Sequence, residues 1–191
     1  MSDETLQQDQ GRVLLPIARA AIARELGISY AADESAAWLQ VHGACFVTLT
    51  QNGALRGCIG SLEAVRPLLE DTRINAVAAA LRDPRFPRLE REEFSITEIE
   101  ISLLSPAVPM AFRDEADALA QLRPDEDGII LEYGYYRSTF LPQVWEQLPQ
   151  PRQFMAQLKR KAGLPDDFWR NEIRLSRYRV TKWKEQAYRD G

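Results

Sequence analysis

Residues 44–60 read ACFVTLTQNGALRGCIG, and their interpretation decides the fold. Ala44–Thr50 is β-branched and aromatic, and Ala54–Gly60 resumes a strand-like run after Asn52-Gly53. An Asn-Gly pair between two such runs predicts a two-residue hairpin turn, because both turn positions need positive φ. With that loop, Gln51 faces Ala54, Thr48 faces Gly57, Val47 faces Cys58 and Cys45 faces Gly60. Strand alternation then places Arg56 and Cys58 on one face with Cys45, Val47 and Leu49, and turns Leu55 and Ile59 to the other. Cys45 and Cys58 come out as diagonal neighbours about 7–8 Å apart by Cα, which argues against a disulfide.

Outward from the hairpin, the chain alternates between helical and strand patterns. Val13, Leu14, Ile17, Ala20 and Ala21 recur at helical spacing, with Gly27 as a stop and Pro16 placing the start no earlier than about Arg12. Pro67 suits the first turn of a second helix, with Ile74, Val77, Ala78 and Leu81 on one face and an end near Arg82, before Asp83-Pro84. Ile96–Leu104 alternates, with Ile99, Ile101 and Leu103 opposite Glu98, Glu100 and Ser102. A short helix over Asp114–Leu122, strands over Gly128–Tyr133 and Tyr135–Leu141, a basic helix ending at Gly163 and a last strand over Ile173–Trp183 complete the pattern. Helices and strands mix without regular βαβ spacing, so the class is α+β with a largely antiparallel sheet and flanking helices. Residues 1–10 are polar and are expected to form a disordered tail.

The length of 191 residues suits one compact domain or two intimately packed halves, and 45% hydrophobic with 27% charged residues is an ordinary globular composition. His42 is the single histidine, and Cys45 and Cys58 are the two cysteines. That inventory excludes a histidine-rich metal centre and a four-ligand cysteine/histidine zinc site, so no metal site and no cofactor are expected. No apolar run reaches the length of a membrane span, and Met1–Gln10 lacks the layout of a signal peptide, so the expected location is cytoplasmic. Net charge is −4, but it is unevenly distributed: −10 over residues 1–151 and +7 over residues 152–184. Such a basic segment meets either an anionic partner or the acidic remainder of its own fold, and the second is favoured here.

Cys58 is the principal candidate for chemistry. A guanidinium two residues away on the same face, from Arg56, favours a thiolate, and Gly57 and Gly60 bracket the cysteine so that a backbone or ligand can come close. The competing reading is a packed structural cysteine, with Arg56 paired to a carboxylate such as Glu98 or Glu100. His42 stands just before the first strand, and nothing in its spacing aims it at a thiol. Asp83-Pro84-Arg85-Phe86-Pro87 forms either a rigid turn that aims Arg85 or a helix terminator. Glu98, Glu100 and Glu132 lie on strands, where a solvated face is the ordinary case. No phosphate-binding or dinucleotide glycine motif occurs.

Leu55-Arg56-Gly57-Cys58-Ile59-Gly60 resembles the six-residue signature of the AMMECR-type domain family, whose bacterial and archaeal members are called AmmeMemoRadiSam system protein A. Gly43–Thr50, Asp83-Pro84-Arg85-Phe86, Glu100–Leu104, Gly128-Ile129, Leu141–Val144, Lys161–Pro165 and the Tyr178 region follow in the family's order. The resemblance covers roughly residues 11–188. It implies an α+β fold of two closely associated subdomains, with the signature in a cleft. It also implies association with a Memo-like protein and a radical SAM protein, and it supplies no established reaction.

Three functions stand open. The first is a small-molecule or peptide site in a cleft around Arg56 and Cys58, with the thiol as nucleophile or transient carrier and Gly57, Gly60, Arg85 and Glu100 lining it. The second is a non-catalytic adaptor that docks the Memo-like or radical SAM partner. The third, ranked last, is nucleic-acid binding through Arg174, Arg177, Arg179, Lys182 and Lys184, whose alternation does not form one clean stripe.

Overall fold

The computed structural model describes residues 3–186 of the chain. In chain order it contains α1 (Asp3–Glu25), β1 (His42–Gln51), β2 (Ala54–Gly60), the short β3 (Arg66–Pro67), α2 (Leu68–Leu81) and β4 (Glu98–Leu104). These are followed by the short β5 (Val108–Pro109), α3 (Glu115–Ala120), β6 (Gly128–Tyr133), β7 (Tyr136–Phe140), α4 (Pro151–Ala162), β8 (Arg174–Tyr178) and β9 (Val180–Lys184). The fold is α+β, with two antiparallel sheets ordered β2-β1-β4-β9 and β5-β8-β6-β7, β3 adding to β1. The chain divides into two compact units, one comprising the residues up to Leu104 with those from Thr181 on, the other Ser105–Val180.

In the first unit, Cys45, Val47, Leu49, Ile99 and Ile101 project from one sheet face into a core with Leu14, Ile17, Ala18 and Ile22 of α1 and Ala76 and Ala79 of α2. Helix α1 starts well before Arg12, and from Asp3 on helix replaces the expected disordered tail; Met1, Ser2 and residues 187–188 lie outside the described residues. The stretch before Pro16 is rich in good helix formers, Glu4, Leu6, Gln7, Gln8 and Gln10, and its single glycine, Gly11, costs only about 1 kcal/mol within a helix, so propagation continues toward the N-terminus. Helix α2 begins where Pro67 predicted, yet it turns a different face inward. Ala76, Ala79 and Ala80 are buried, while Ile74 is 38% exposed. The sheet demands small residues there because the helix backbone comes into contact with β2.

Buried polar groups fasten this core. Asp71 is fully buried and accepts hydrogen bonds from the Cys45 N–H (2.9 Å), the Ser61 hydroxyl (2.6 Å) and the Asn75 amide (2.9 Å). Arg19 of α1 pairs with Glu185 and donates to the carbonyls of Phe94 and Thr97, and Glu185 also accepts the Ile99 N–H.

The second unit packs α4 against its sheet around Ile129, Leu131, Trp145, Phe154, Leu158 and Leu175. Trp145 stacks on Phe154 at 3.7 Å between ring centroids, and its indole N–H donates to the Asp127 carbonyl. Gly163 closes α4 at φ +90°, a conformation that favours glycine. Ile173–Trp183 was expected as one strand. It is two strands in different sheets, parted at Arg179: Tyr178 is buried on β8, and Trp183 reaches the first unit's core on β9.

Candidate functional site

The hairpin turn forms as the sequence predicts, with Asn52 at φ +50°, Gly53 at φ +78° and Gln51 opposite Ala54. Four residues later the register departs from expectation. Leu55 pairs with Thr50 and Gly57 with Leu49, leaving Arg56 as an extra residue in a β-bulge. A bulge inserts one residue and advances everything beyond it by one position. Thr48 therefore faces Cys58, Val47 faces Ile59 and Phe46 faces Gly60. Cys58 is consequently not on the face of Cys45, Val47 and Leu49. Its thiol lies on the opposite face, partly exposed, where it accepts a hydrogen bond from the Thr48 hydroxyl at 3.2 Å.

Arg56, freed from the ladder, is 9% exposed and makes a two-pronged pair with Glu93, at 3.0 and 2.9 Å. It also donates to the carbonyls of Pro87 (2.8 Å) and Arg88 (3.3 Å). The partner is thus Glu93, and neither Glu98 nor Glu100. The Arg56 guanidinium, helped by the Glu90 N–H, draws the Glu93 carboxyl down to about 2. Gly57 is where α2 touches the sheet: an added Cβ would lie 2.1 Å from the Ala79 carbonyl oxygen. At Gly60 an added Cβ would lie 2.2 Å from the ring of Phe46. Protein fills the space at both glycines.

β2 is an edge strand, and the outward backbone groups of Cys58 are capped. Its N–H donates to Asp83 at 2.8 Å, and its carbonyl accepts from the Arg85 guanidinium at 3.1 Å. Arg85 and Asp83 also pair with each other at 2.6 Å. Hydrogen bonding from Arg85, against an opposing cost of burial, holds the Asp83 carboxyl well below the usual carboxylate range. The Asp83-Pro84-Arg85 turn therefore does aim Arg85, at the backbone of the signature.

The thiol belongs to a row that crosses the sheet. Cys58 on β2 faces Thr48 on β1, Thr48 faces Glu100 on β4, and Glu100 pairs with Lys184 on β9 at 3.2 Å. The other cysteine differs in burial, although its thiol too lies beside a threonine hydroxyl, that of Thr72 at 3.6 Å. Cys45 is fully buried in the core, and that burial pushes its thiol up to about 12.

The AMMECR1 family profile matches residues 15–183. A protein of Methanothermobacter thermautotrophicus is 37% identical over 192 residues, covering 95% of this chain and 97% of its own. The chain belongs to the AMMECR1 family. A Sulfolobus acidocaldarius relative is 36% identical over 97% of this chain and 83% of its own. The crystal structure of an uncharacterized protein from Pyrococcus horikoshii aligns with TM-score 0.75 and 30% identity, over 92% of this chain and 91% of that one.

In this AMMECR1-family chain, Cys58 and Glu100 flank Thr48 on one sheet face, whereas Arg85 caps the backbone of Cys58 at the sheet edge and Arg56, Gly57 and Gly60 face protein partners. His42 is exposed at the start of β1, opposite Pro67. Sequence reasoning missed Thr48, Asp83, Glu93 and Lys184. Only Asp83 carried a signal, two residues from Arg85; the others meet their partners through a bulge and through strand order. The basic segment is largely paired within the chain, as in Lys159–Glu115, Arg160–Asp166, Arg177–Asp127 and Arg179–Glu126. Among the described residues no three metal-binding side chains cluster, and no helix is long and apolar enough to cross a membrane.

Proposed function

We propose that the chain binds a small molecule or peptide on the face of its first sheet turned away from α1 and α2, with the Cys58 thiol as nucleophile or carrier. One observation carries this reading. Arg56, Gly57, Gly60, Asp83 and Arg85 all act on the protein itself, and what their arrangement leaves outward is the Cys58 sulfur, with the Thr48 hydroxyl as its partner. Adjacent strands lie about 4.8 Å apart, so a ligand laid across Thr48 spans about 10 Å from thiol to the Glu100 carboxylate. That length suits a dipeptide or a compact metabolite. Glu100 is held by Lys184 and offers its remaining acceptor capacity to a donor group. The Memo-like and radical SAM proteins implied by the family resemblance are the proposed functional companions, and the site is proposed to act in the cytoplasm.

The test is the rate of iodoacetamide alkylation of Cys58 in the folded protein as a function of pH, read by peptide mass spectrometry with Cys45 as internal comparison. Cys58 is expected to react while Cys45 stays protected. Thr48→Val, which removes the hydroxyl at nearly constant shape, is expected to change the Cys58 rate without changing the protection of Cys45. Protection of Cys58 at every pH until unfolding would sink the thiol reading. A second reading, a non-catalytic adaptor, is favoured by how much of the signature holds the protein together. It predicts a complex with a Memo-like or radical SAM protein that survives alkylation.

A further inference from the structure

The second unit contains a hollow of about 530 Å³ that lies apart from the signature. It opens where the chain after β5 leaves β8. The Met110 N–H still reaches the Leu175 carbonyl at 2.8 Å, but the next carbonyl, of Ala111, accepts from the Gln121 amide instead. The size falls in the range of small-molecule sites, about 300–1,000 Å³. Met110, Phe112 and Ile173 supply apolar walls, and Phe112 is braced by Trp169 with ring centroids 5.6 Å apart.

Two opposite charges line the same hollow. Glu132 on β6 and Arg174 on β8 stand directly opposite each other in register, yet no ion pair joins them. Glu132 instead meets Arg137 on β7, at 3.4 Å. The Arg174 side chain is exposed and has no ion-pair or hydrogen-bond partner among the described residues. A ligand bearing only an anion would meet the Glu132 carboxylate, and one bearing only a cation would meet the Arg174 guanidinium. Side chains directly across an antiparallel pair start about 5 Å apart at Cβ, which fits an ammonium and a carboxylate carried on one carbon.

We infer that this hollow binds a free α-amino acid with an apolar side chain. Arg174 takes the carboxylate through its two-pronged guanidinium, Glu132 takes the ammonium, and the side chain lies against Met110, Phe112 and Ile173. The site is independent of Cys58 and stands whether or not the thiol reacts.

Isothermal titration of the full chain with L-phenylalanine tests the assignment. Binding is expected, with N-acetyl-L-phenylalanine and phenethylamine each weaker by about tenfold or more, since each lacks one of the two charges that Arg174 and Glu132 complement. Glycine, which keeps both charges and no side chain, is expected to weaken by a similar factor. Arg174→Gln and Glu132→Gln, at partly or fully exposed positions, are each expected to lower affinity about tenfold while leaving the unfolding midpoint close to that of the parent. Absence of heat with L-phenylalanine up to about 10 mM would overturn the proposal. Equal affinity for the N-acetylated compound would also overturn it, because Glu132 would then have no role.

Discussion

At Gly57 the carbonyl oxygen of Ala79 occupies the place of a side chain, so the smallest substitution there must move a helix rather than a rotamer. Gly57→Ala is expected to destabilise the protein by about 3 kcal/mol, since overpacking against backbone cannot relax locally. Gly53→Ala provides the comparison: nothing lies within 4 Å of its added Cβ, and only the φ of +78° opposes it. That strain amounts to about 1–2 kcal/mol. Urea denaturation of both variants decides the matter, and a Gly57→Ala cost no larger than that of Gly53→Ala would refute the close helix approach. Arg56 makes a different demand. Its planar fork bonds both Glu93 oxygens while two backbone carbonyls take its remaining donors, a geometry that an ammonium cannot reproduce. Arg56→Lys is therefore expected to cost about 2–3 kcal/mol by the same measurement, despite keeping the charge.

The bulge and the edge cap act at the level of the strand. An exposed edge strand offers unpaired N–H and carbonyl groups to other chains, and at Cys58 the Asp83–Arg85 pair supplies a substitute partner for both. Asp83→Asn loses the charge that draws Arg85 and weakens the acceptor for the Cys58 N–H. The expected result is a loss of about 1–3 kcal/mol and a protein that associates with rising concentration, seen by urea titration and size-exclusion chromatography. A variant as stable and monodisperse as the parent would show the cap to be idle. The hairpin, the start of α2 and the end of α4 were legible because Asn52-Gly53, Pro67 and Gly163 each enforce a local conformation. The bulge was not: ALRGCIG alternates as an uninterrupted strand would, and only the packing of Gly57 under α2 and of Arg56 onto Glu93 selects the extra residue. That single slip carried Cys58 to the other face, which is why its partner Thr48 was invisible, while the Glu100–Lys184 pair depends on the strand order that sets β9 beside β4. The inward face of α2 was misread for a related reason, since hydrophobic spacing favours Ile74 and Val77, whereas the buried face is made of alanines together with the hydrogen-bonded Asp71, Thr72 and Asn75.

Across the molecule, the perturbed ionisable groups set both ends of the pH range of stability. Glu93, drawn from 4.5 to about 2 by Arg56, and Asp83, lowered from 3.8 by Arg85, are depressed in the folded state. The unfolded chain binds protons at these carboxylates more readily, so their contribution is complete above about pH 5 and is lost as pH falls toward 2. Cys45, raised from 9.0 to about 12 by burial, and Tyr178, raised from 10.0 by burial, have the opposite sign. Both stay neutral in the fold when the unfolded chain would ionise, so their contribution is complete below pH 9 and is lost as pH rises through the folded values. The urea midpoint is therefore expected to be flat from about pH 5 to 8.5 and to decline on both sides. Because Asp83 and Glu93 tie the segment after α2 to β2, the part of the acid decline that they supply belongs to the first unit. Glu93→Gln should be less stable than the parent at neutral pH yet show a shallower acid limb, since it removes one of the groups that titrates there. Cys45→Ala should likewise lower stability overall while flattening the alkaline limb. Acid limbs that superimpose for parent and Glu93→Gln would mean that the Arg56–Glu93 pair has no linkage to folding, and the clamp that sets the bulge would have to be sought in the Pro87 and Arg88 carbonyls alone.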